Sequence, residues 1–363
     1  MSSSIADEPP RKLNRATSPS LLNSLPIELI WTITARVSRR SYPILSCVSK
    51  NFRSTLLSPE IHKIRSLLDT DSLCISFTDE TKNDPTRNWF TLRRIENNPT
   101  QNQFVSVSIP FDYRSEPNPS IIAIGPEIFF ICGSYIPSSR LWIFDTRSQR
   151  FRRGPNMQVD RSYKSVGLVG DKVYVIGGDR DYKVQAETFD LKTQTWELAP
   201  NPEEEEEWIS SANVSLDKKV YALTSYGDIA LHYDTRDGSC GSFELIKDKW
   251  WRTGVCVMDN MLYVYYARFG LMWYDFELML WRVVYGLDVL KSVGSVGMAE
   301  YYGKLAFLWE ESCDVSSETK EIWCRMIGLV RSEKGIHGTS EPSRLLGIVP
   351  RGYRMQQCLS VSD

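Results

Sequence analysis

Hydrophobic residues follow two rhythms along the chain. Between Leu22 and residue 66 they recur at near-helical spacing: Leu25, Leu29, Ile33 and Val37, then, after a break at Ser41-Tyr42-Pro43, Leu45, Val48, Phe52 and Leu56. That spacing puts apolar side chains on one face of successive short helices. Pro26 suits a first helical turn, where its missing N–H costs nothing. Ser58-Pro59-Glu60 offers cap, proline and acid in the order that restarts a helix. Three or four short helices are predicted. From Leu73 the rhythm changes to short apolar, β-branched and aromatic runs between turn residues. The fullest stretch is Arg161 to Asn201. It holds Val166–Val169, the turn pair Gly170-Asp171, Val173–Ile176 ended by Gly177-Gly178, Ala186–Asp190, and a fourth strand around Trp196. Four such strands make an antiparallel sheet that cannot bury both faces alone and needs neighbours.

The neighbours are copies. An aromatic-Asp pair recurs at Phe144-Asp145, Phe189-Asp190, Tyr233-Asp234 and Tyr274-Asp275, at intervals of 45, 44 and 41 residues. A second aromatic follows seven residues after the first at Phe151, Trp196 and Trp281, and Cys240 takes that place in the remaining copy. A turn and a strand precede each pair: Gly125-Pro126 before Ile128–Cys132, Gly170-Asp171 before Val173–Ile176, Asp217-Lys218 before Val220–Thr224, and Asp259-Asn260 before Leu262–Tyr266. A fixed period with four strands per unit marks a β-propeller.

The units divide as 72–118, 121–157, 161–202, 208–248, 250–290 and 292–350, about six blades, with residues 312–342 read as a Ser/Glu/Lys-rich insertion. The first blade lacks a strand. Leu73–Phe77, Trp89–Ile95 and Phe104–Ile109 fit its second, third and fourth strands, and a helical region stands where the first belongs. The lone run Arg354–Val361 is expected to close the ring as that innermost strand, which removes exposed sheet edges.

Composition adds little to this outline. Apolar content of 42% and charged content of 24% describe an ordinary globular chain. Residues 1–20 are Ser-, Pro- and Arg-rich and are expected to be a disordered tail, with neither a signal peptide nor a membrane span expected. Residues 1–66 carry +6, which leaves −8 on the rest, since the whole chain carries −2. The basic residues are scattered and no nucleic-acid motif accompanies them, so neither nucleic acid nor membrane is expected as a partner. The acidic run Glu203–Glu207 reads as a solvated loop between blades, or as a lure for a basic tail.

The strand units resemble kelch repeats, most fully at Gly177-Gly178, Phe189-Asp190 and Trp196. Cys132-Gly133, Thr224-Ser225 and Tyr266-Ala267 depart from the diglycine. The helical stretch, residues 21–68, resembles the F-box through Leu25-Pro26, Glu28-Leu29, Ile33, Val37, Leu45, Val48-Ser49-Lys50, Phe52-Arg53 and Ser58-Pro59. The alternative there is a helical hairpin that caps the propeller. Together they resemble the F-box/kelch-repeat family of plants, which implies a small all-α F-box domain followed by an all-β kelch-type propeller over 72–363. It also implies a role as substrate receptor of an SCF-type ubiquitin ligase. The F-box would dock on a Skp-family adaptor, and through it on cullin and RING subunits, by Leu25, Pro26, Leu29, Ile30, Ile33 and Leu45. Some of these must instead build the module's own core. No long linker separates the two regions, so a fixed angle between them is expected.

The protein target is expected on loops of one propeller face, where variation is tolerated. Candidates after the second strands are Tyr135, Arg180, Tyr182, Tyr226 and Arg268. Candidates leading into the first strands are Arg161, Tyr163, Trp208, Trp251 and Arg252. Aromatic and arginine side chains dominate binding hot spots, though they are also common on any propeller rim.

Nothing points to catalysis. The eight cysteines (Cys47, Cys74, Cys132, Cys240, Cys256, Cys313, Cys324 and Cys358) form no CxxC pair and read as reduced thiols in a nuclear or cytoplasmic protein. His62, His232 and His337 are far apart, with no metal-ligand spacing. Copper-dependent sugar oxidases share the kelch-like fold, but their histidine, tyrosine and cysteine centre has no counterpart here. No GxSxG, P-loop or dinucleotide fingerprint occurs, and a flavin-binding light-sensing domain is not expected before the F-box. Neither metal nor cofactor is expected. Two alternatives stay open: a kelch scaffold that binds partners without ubiquitin transfer, and a propeller holding a small molecule in its central pocket.

Overall fold

The computed structural model describes residues 25–35, 37, 42–56, 58, 60, 61, 64, 71–82, 86–95, 98–179, 185–202, 212–223, 229–246, 252–287, 296–312 and 318–362. Three short helices come first: α1 (Ile27–Ala35), α2 (Tyr42–Val48) and α3 (Lys50–Leu56). Their shared core is small, built on Ala35, Leu56 and Ile61, with Leu45 and Ile64 packed against it.

Glu60, Ile61 and Ile64 are helical as well, and from Asp71 on every named element is a strand. Blade 1 holds β1 (Asp71–Asp79), β2 (Arg87–Ile95) and β3 (Asn98–Val107). Blade 2 holds β4 (Ser120–Ile124), β5 (Glu127–Ile131), β6 (Leu141–Asp145) and β7 (Arg150–Arg153). Blade 3 holds β8 (Ser165–Val169), β9 (Lys172–Ile176), β10 (Ala186–Asp190) and β11 (Thr195–Leu198). Blade 4 holds β12 (Ala212–Leu216), β13 (Lys219–Leu223), β14 (Ile229–Asp234) and β15 (Cys240–Glu244). Blade 5 holds β16 (Arg252–Met258), β17 (Met261–Tyr266), β18 (Gly270–Asp275) and β19 (Leu280–Val283). Blade 6 holds β20 (Val296–Tyr301), β21 (Lys304–Glu311), β22 (Thr319–Ser332), β23 (Gly335–Ser340) and β24 (Arg344–Pro350). The last strand, β25 (Tyr353–Ser362), pairs antiparallel with β1 and completes blade 1. It lies against β4 and β20, the inner strands on either side, so it is the innermost strand of its blade. Six sheets form the ring, and the C-terminal strand closes it as expected.

Second strands are buried on both faces because each is clasped by two neighbouring blades. All six residues of β17 are buried. Tyr263 and Tyr265 enter the core shared with blade 6, and Leu262, Val264 and Tyr266 enter the core shared with blade 4. Period-two alternation therefore sorts side chains between two cores rather than between core and water. Each fully buried side chain of this size contributes about 1.5–3 kcal/mol.

The recurring aspartates shape turns. Asp145 Oδ1 accepts the backbone N–H groups of Arg147 and Ser148, at 2.9 and 3.4 Å. Asp190 does the same for Lys192 and Thr193, at 2.8 and 3.1 Å, and Asp275 for Glu277 and Leu278, both at 3.2 Å. The fourth residue after each aspartate turns left-handed: Gln149, Gln194, Gly238 and Met279. The late aromatics do more than pack. The indole N–H of Trp196 donates to Pro155 O at 2.8 Å, and that of Trp281 to Glu244 O at 3.2 Å, each in the preceding blade. In blade 4, where Cys240 replaces the aromatic, the Tyr233 hydroxyl donates to Pro200 O at 2.6 Å, the matching carbonyl of blade 3.

One expectation is corrected. Residues 318–342 are not an insertion loop but the long strand β22 and the hairpin into β23. The first half of β22 pairs with β24 and the second half with β23. Its alternating Lys320, Ile322 and Cys324 are buried. Buried Lys320 reaches Glu310 at 2.7 Å, so a charged residue sits inward without breaking the strand pattern.

Candidate docking surfaces

The helical module turns apolar side chains outward. Leu29 is 48% exposed and Ile33, one helical turn on, is 47% exposed. Pro26 is also exposed, while Leu25 and Ile30 are half-buried. Leu45 packs against the module's own core. The buried residues of α1 are Thr34 and Ala35, small side chains on its inner side. Thr32 and Thr34, β-branched residues of α1, donate their hydroxyls to Glu28 O and Ile30 O and so sit inside the helix without orphaned oxygens. The structure thus divides the six candidates, which the sequence left unsorted, into an outward set led by Leu29 and Ile33 and an inward Leu45.

In the propeller, the loops between second and third strands and those between blades share one face. Two candidates meet there. Tyr135, on the loop from β5 to β6, is 55% exposed, and Tyr163, leading into β8, is 49% exposed; Ile136, next to Tyr135 in the chain, is 43% exposed. The backbone N–H of Tyr163 donates to Ser134 O at 3.2 Å, which fixes one loop to the other. Tyr163 itself is left-handed, at φ 48°, a conformation a tyrosine holds only when its surroundings impose it.

What imposes it is a buried polar lattice. Arg161 was expected at the target surface, and here the structure corrects the sequence: Arg161 is fully buried. Its Nε and terminal N–H groups donate to Glu187 Oε1 at 3.1 and 2.7 Å, and another donates to Gly177 O at 2.6 Å. The other Glu187 oxygen accepts from Gln158 N at 2.7 Å. The Arg161 backbone pairs with Ser138 across the two loops. Glu116 accepts from Ser138 at 3.1 Å and Arg140 at 2.7 Å, and the Lys164 ammonium donates to Gly133 O. Burial pushes Lys164 down to about 7, against the opposing pull of Cys132 and Glu116, and burial pushes the Cys132 thiol well up.

Two glycines make the approach possible. A Cβ on Gly133 would stand 2.0 Å from Arg161 O, and one on Gly178 would stand 2.3 Å from Ser162 O. Both have positive φ. In the run Arg161-Ser162-Tyr163-Lys164, both cations point in and the tyrosine points out.

Among the other candidates, Arg268 is exposed beside Phe269, with its guanidinium carbon 5.7 Å from the ring centroid. Arg252 opens β16, an inner strand. Arg180, Tyr182, Trp208, Tyr226 and Trp251 lie outside the described residues, as do the acidic run 203–207 and the segment joining the two regions. Sequence reasoning missed Ile136 and the whole buried lattice.

Comparison with known proteins agrees with this layout. The family model for the F-box domain matches residues 22–64, and that for the FKB95 kelch-repeats domain matches residues 89–344. An F-box/kelch-repeat protein of Arabidopsis thaliana is 58% identical over 99% of this chain and 100% of its own length. A second from the same plant is 56% identical over 98% of this chain and 99% of its own, and a third is 40% identical over 97% of each.

Proposed function

The chain belongs to the F-box/kelch-repeat family, and from that premise we propose that it is the substrate-recognition subunit of an SCF-type ubiquitin ligase. The F-box docks on a Skp-family adaptor, which carries cullin and RING subunits, and the propeller holds a protein target for ubiquitination. The observation that supports this reading most is the outward pair Leu29 and Ile33. An apolar i, i+4 face that the module's own small core does not use fits a helix-in-groove contact.

For the target, the ridge of Tyr135, Ile136 and Tyr163 supplies aromatic area on a backbone already locked by the Arg161–Glu187 lattice. Little conformational entropy remains to be lost there on binding. The family's role is that of an adaptor rather than a catalyst. The gain is proximity: a tethered target meets a charged E2 at raised effective concentration. Such a protein works in the nucleus or cytoplasm.

The test is co-purification of the full chain with a Skp adaptor and cullin, beside a Leu29→Asp, Ile33→Asp variant. Wild type should bring both down and the variant neither. An adaptor that binds both forms equally, or neither, overturns the docking reading. A target that binds the Tyr135→Ala, Tyr163→Ala variant as well as wild type overturns the assignment of the ridge.

A further inference from the structure

The opposite face of the propeller, where the turns between first and second and between third and fourth strands lie, carries a repeated charge pair with one break in it. In blade 2, Glu127 at the start of β5 meets Arg152 on β7 at 3.0 Å. In blade 3 the same two places hold Lys172 and Glu197, 2.7 Å apart. The signs are exchanged, yet the pair survives. In blade 4 the lysine is present as Lys219, but the place of its acid is taken by Gly241, directly opposite His232 on β14.

Lys219 has no carboxylate partner among the described residues. Its Nζ instead lies 3.2 Å from His232 Nε2. Burial and then the neighbouring Lys219 hold His232 below the usual imidazole range, so the neutral ring accepts from the ammonium. A Cβ at position 241 would stand 2.5 Å from the His232 ring, so glycine makes the room the imidazole occupies.

This break opens a cavity of about 350 Å³ between blades 4 and 5. Tyr221 lines it from the same face of β13, two residues beyond Lys219. Tyr221 is only 3% exposed as a whole; its hydroxyl bonds no described residue and is open to the cavity rather than sealed in the core. One wall is an aromatic cluster, in which Phe243 and Phe276 pack against Tyr221 at 6.1 and 6.0 Å, centroid to centroid. Met279, left-handed at φ 53°, forms the lip.

The rim acids do not fill the vacancy. Asp275 is held by Arg282 at 3.0 Å and Glu277 by Arg331 at 3.4 Å. Asp217, exposed on the turn, and Asp234, the cross-strand partner of Lys219 held by Arg236, form no ion pair with Lys219 among the described residues.

We propose that this cavity is a binding site for a small aromatic carboxylate. Its ring lies against the cluster of Phe243, Phe276 and Tyr221. Its carboxylate takes the Lys219 ammonium and the Tyr221 hydroxyl, supplying from outside the acid that blade 3 holds as Glu197. The size suits one compact ligand. The site is independent of the proposed target ridge, which lies on the other face.

The test is titration calorimetry of the full chain with benzoate, trans-cinnamate and 2-naphthoate, with benzamide and inorganic phosphate as controls. At least one carboxylate should bind at about millimolar concentration or tighter. Benzamide and phosphate should each bind at least about tenfold more weakly, since one lacks the charge and the other the ring. Lys219→Gln and Tyr221→Phe should each weaken carboxylate binding by about tenfold or more. Tyr221→Phe should leave melting unchanged, because the hydroxyl bonds nothing within the fold. His232→Ala with Gly241→Glu, which rebuilds the pair of blade 3, should abolish binding in a folded protein. The proposal is overturned if no carboxylate binds at millimolar concentration, if benzamide or phosphate binds as well, or if Tyr221→Phe and Lys219→Gln bind like wild type.

Discussion

The helical module and the propeller solve burial in opposite ways. The propeller takes one ion pair fully inside: Arg161 and Glu187 are both fully buried and bond each other, with Gly177 O and Gln158 N as further partners. The module leaves apolar groups outside, with Leu29 and Ile33 half in water beside a core that, among the described residues, has three buried members and two partners. One region is complete in itself; the other, on the proposed function, is half of an interface. A small module gains little from its own core, and the proposed adaptor contact would account for its apolar surface.

Four measurements would break or sharpen that contrast. The largest effect is expected from deleting residues 352–363. Blade 1 loses its inner strand, β1 becomes an open edge, and the single cooperative melt should be lost together with the monomeric state. A deletion variant that stays monomeric with unchanged melting would refute closure as a source of the propeller's self-sufficiency. Next, Arg161→Met strands a buried carboxylate and should cost about 3–5 kcal/mol in denaturant unfolding. Adding Glu187→Gln should recover part of that, since the uncompensated charge goes.

Third comes a pH effect. Lys164 sheds its proton near 7 in the folded protein, whereas in the unfolded chain an ordinary lysine keeps it to about 10. The unfolded state then binds more protons above pH 7, so stability should rise with pH, by roughly 1 kcal/mol per unit at most between about 7 and 8.5. Lys164→Met should flatten that slope, and an unchanged slope would show that the lysine is not held in the dry lattice. The smallest effect on stability is expected for Leu29→Asp with Ile33→Asp, within about 0.5 kcal/mol. If this pair unfolded the module as Arg161→Met weakens the propeller, its outer face would be core after all.

Much of the ring was legible from the chain. The spacing of Asp145, Asp190, Asp234 and Asp275 gave blade positions because each aspartate does a local job, accepting the N–H groups of the turn that follows. The lone run before residue 362 was legible because blade 1 lacked a strand. The fate of Arg161 was not, since it depends on a left-handed Tyr163 and on two loops meeting through Gly133 and Gly178. Distance along the sequence hides such meetings. The strand β22 was missed for a simpler reason: its outward face is polar, and the buried Lys320 disguised the inward one. The break at Gly241 was visible in the letters, but its meaning needed the cross-strand register that sets it against Glu197.

The seam between β1 and β25 also sets the order in which the molecule can be made. Every other strand pair joins near neighbours, whereas this one joins Asp71 to Ser362. Closing so long a loop is the slowest topological step, so five blades can form while the sixth waits with two raw edges. At high concentration those edges belong to no particular molecule. The β25 of one chain can complete blade 1 of another, and refolding from concentrated denaturant should yield strand-exchanged dimers in competition with closed rings.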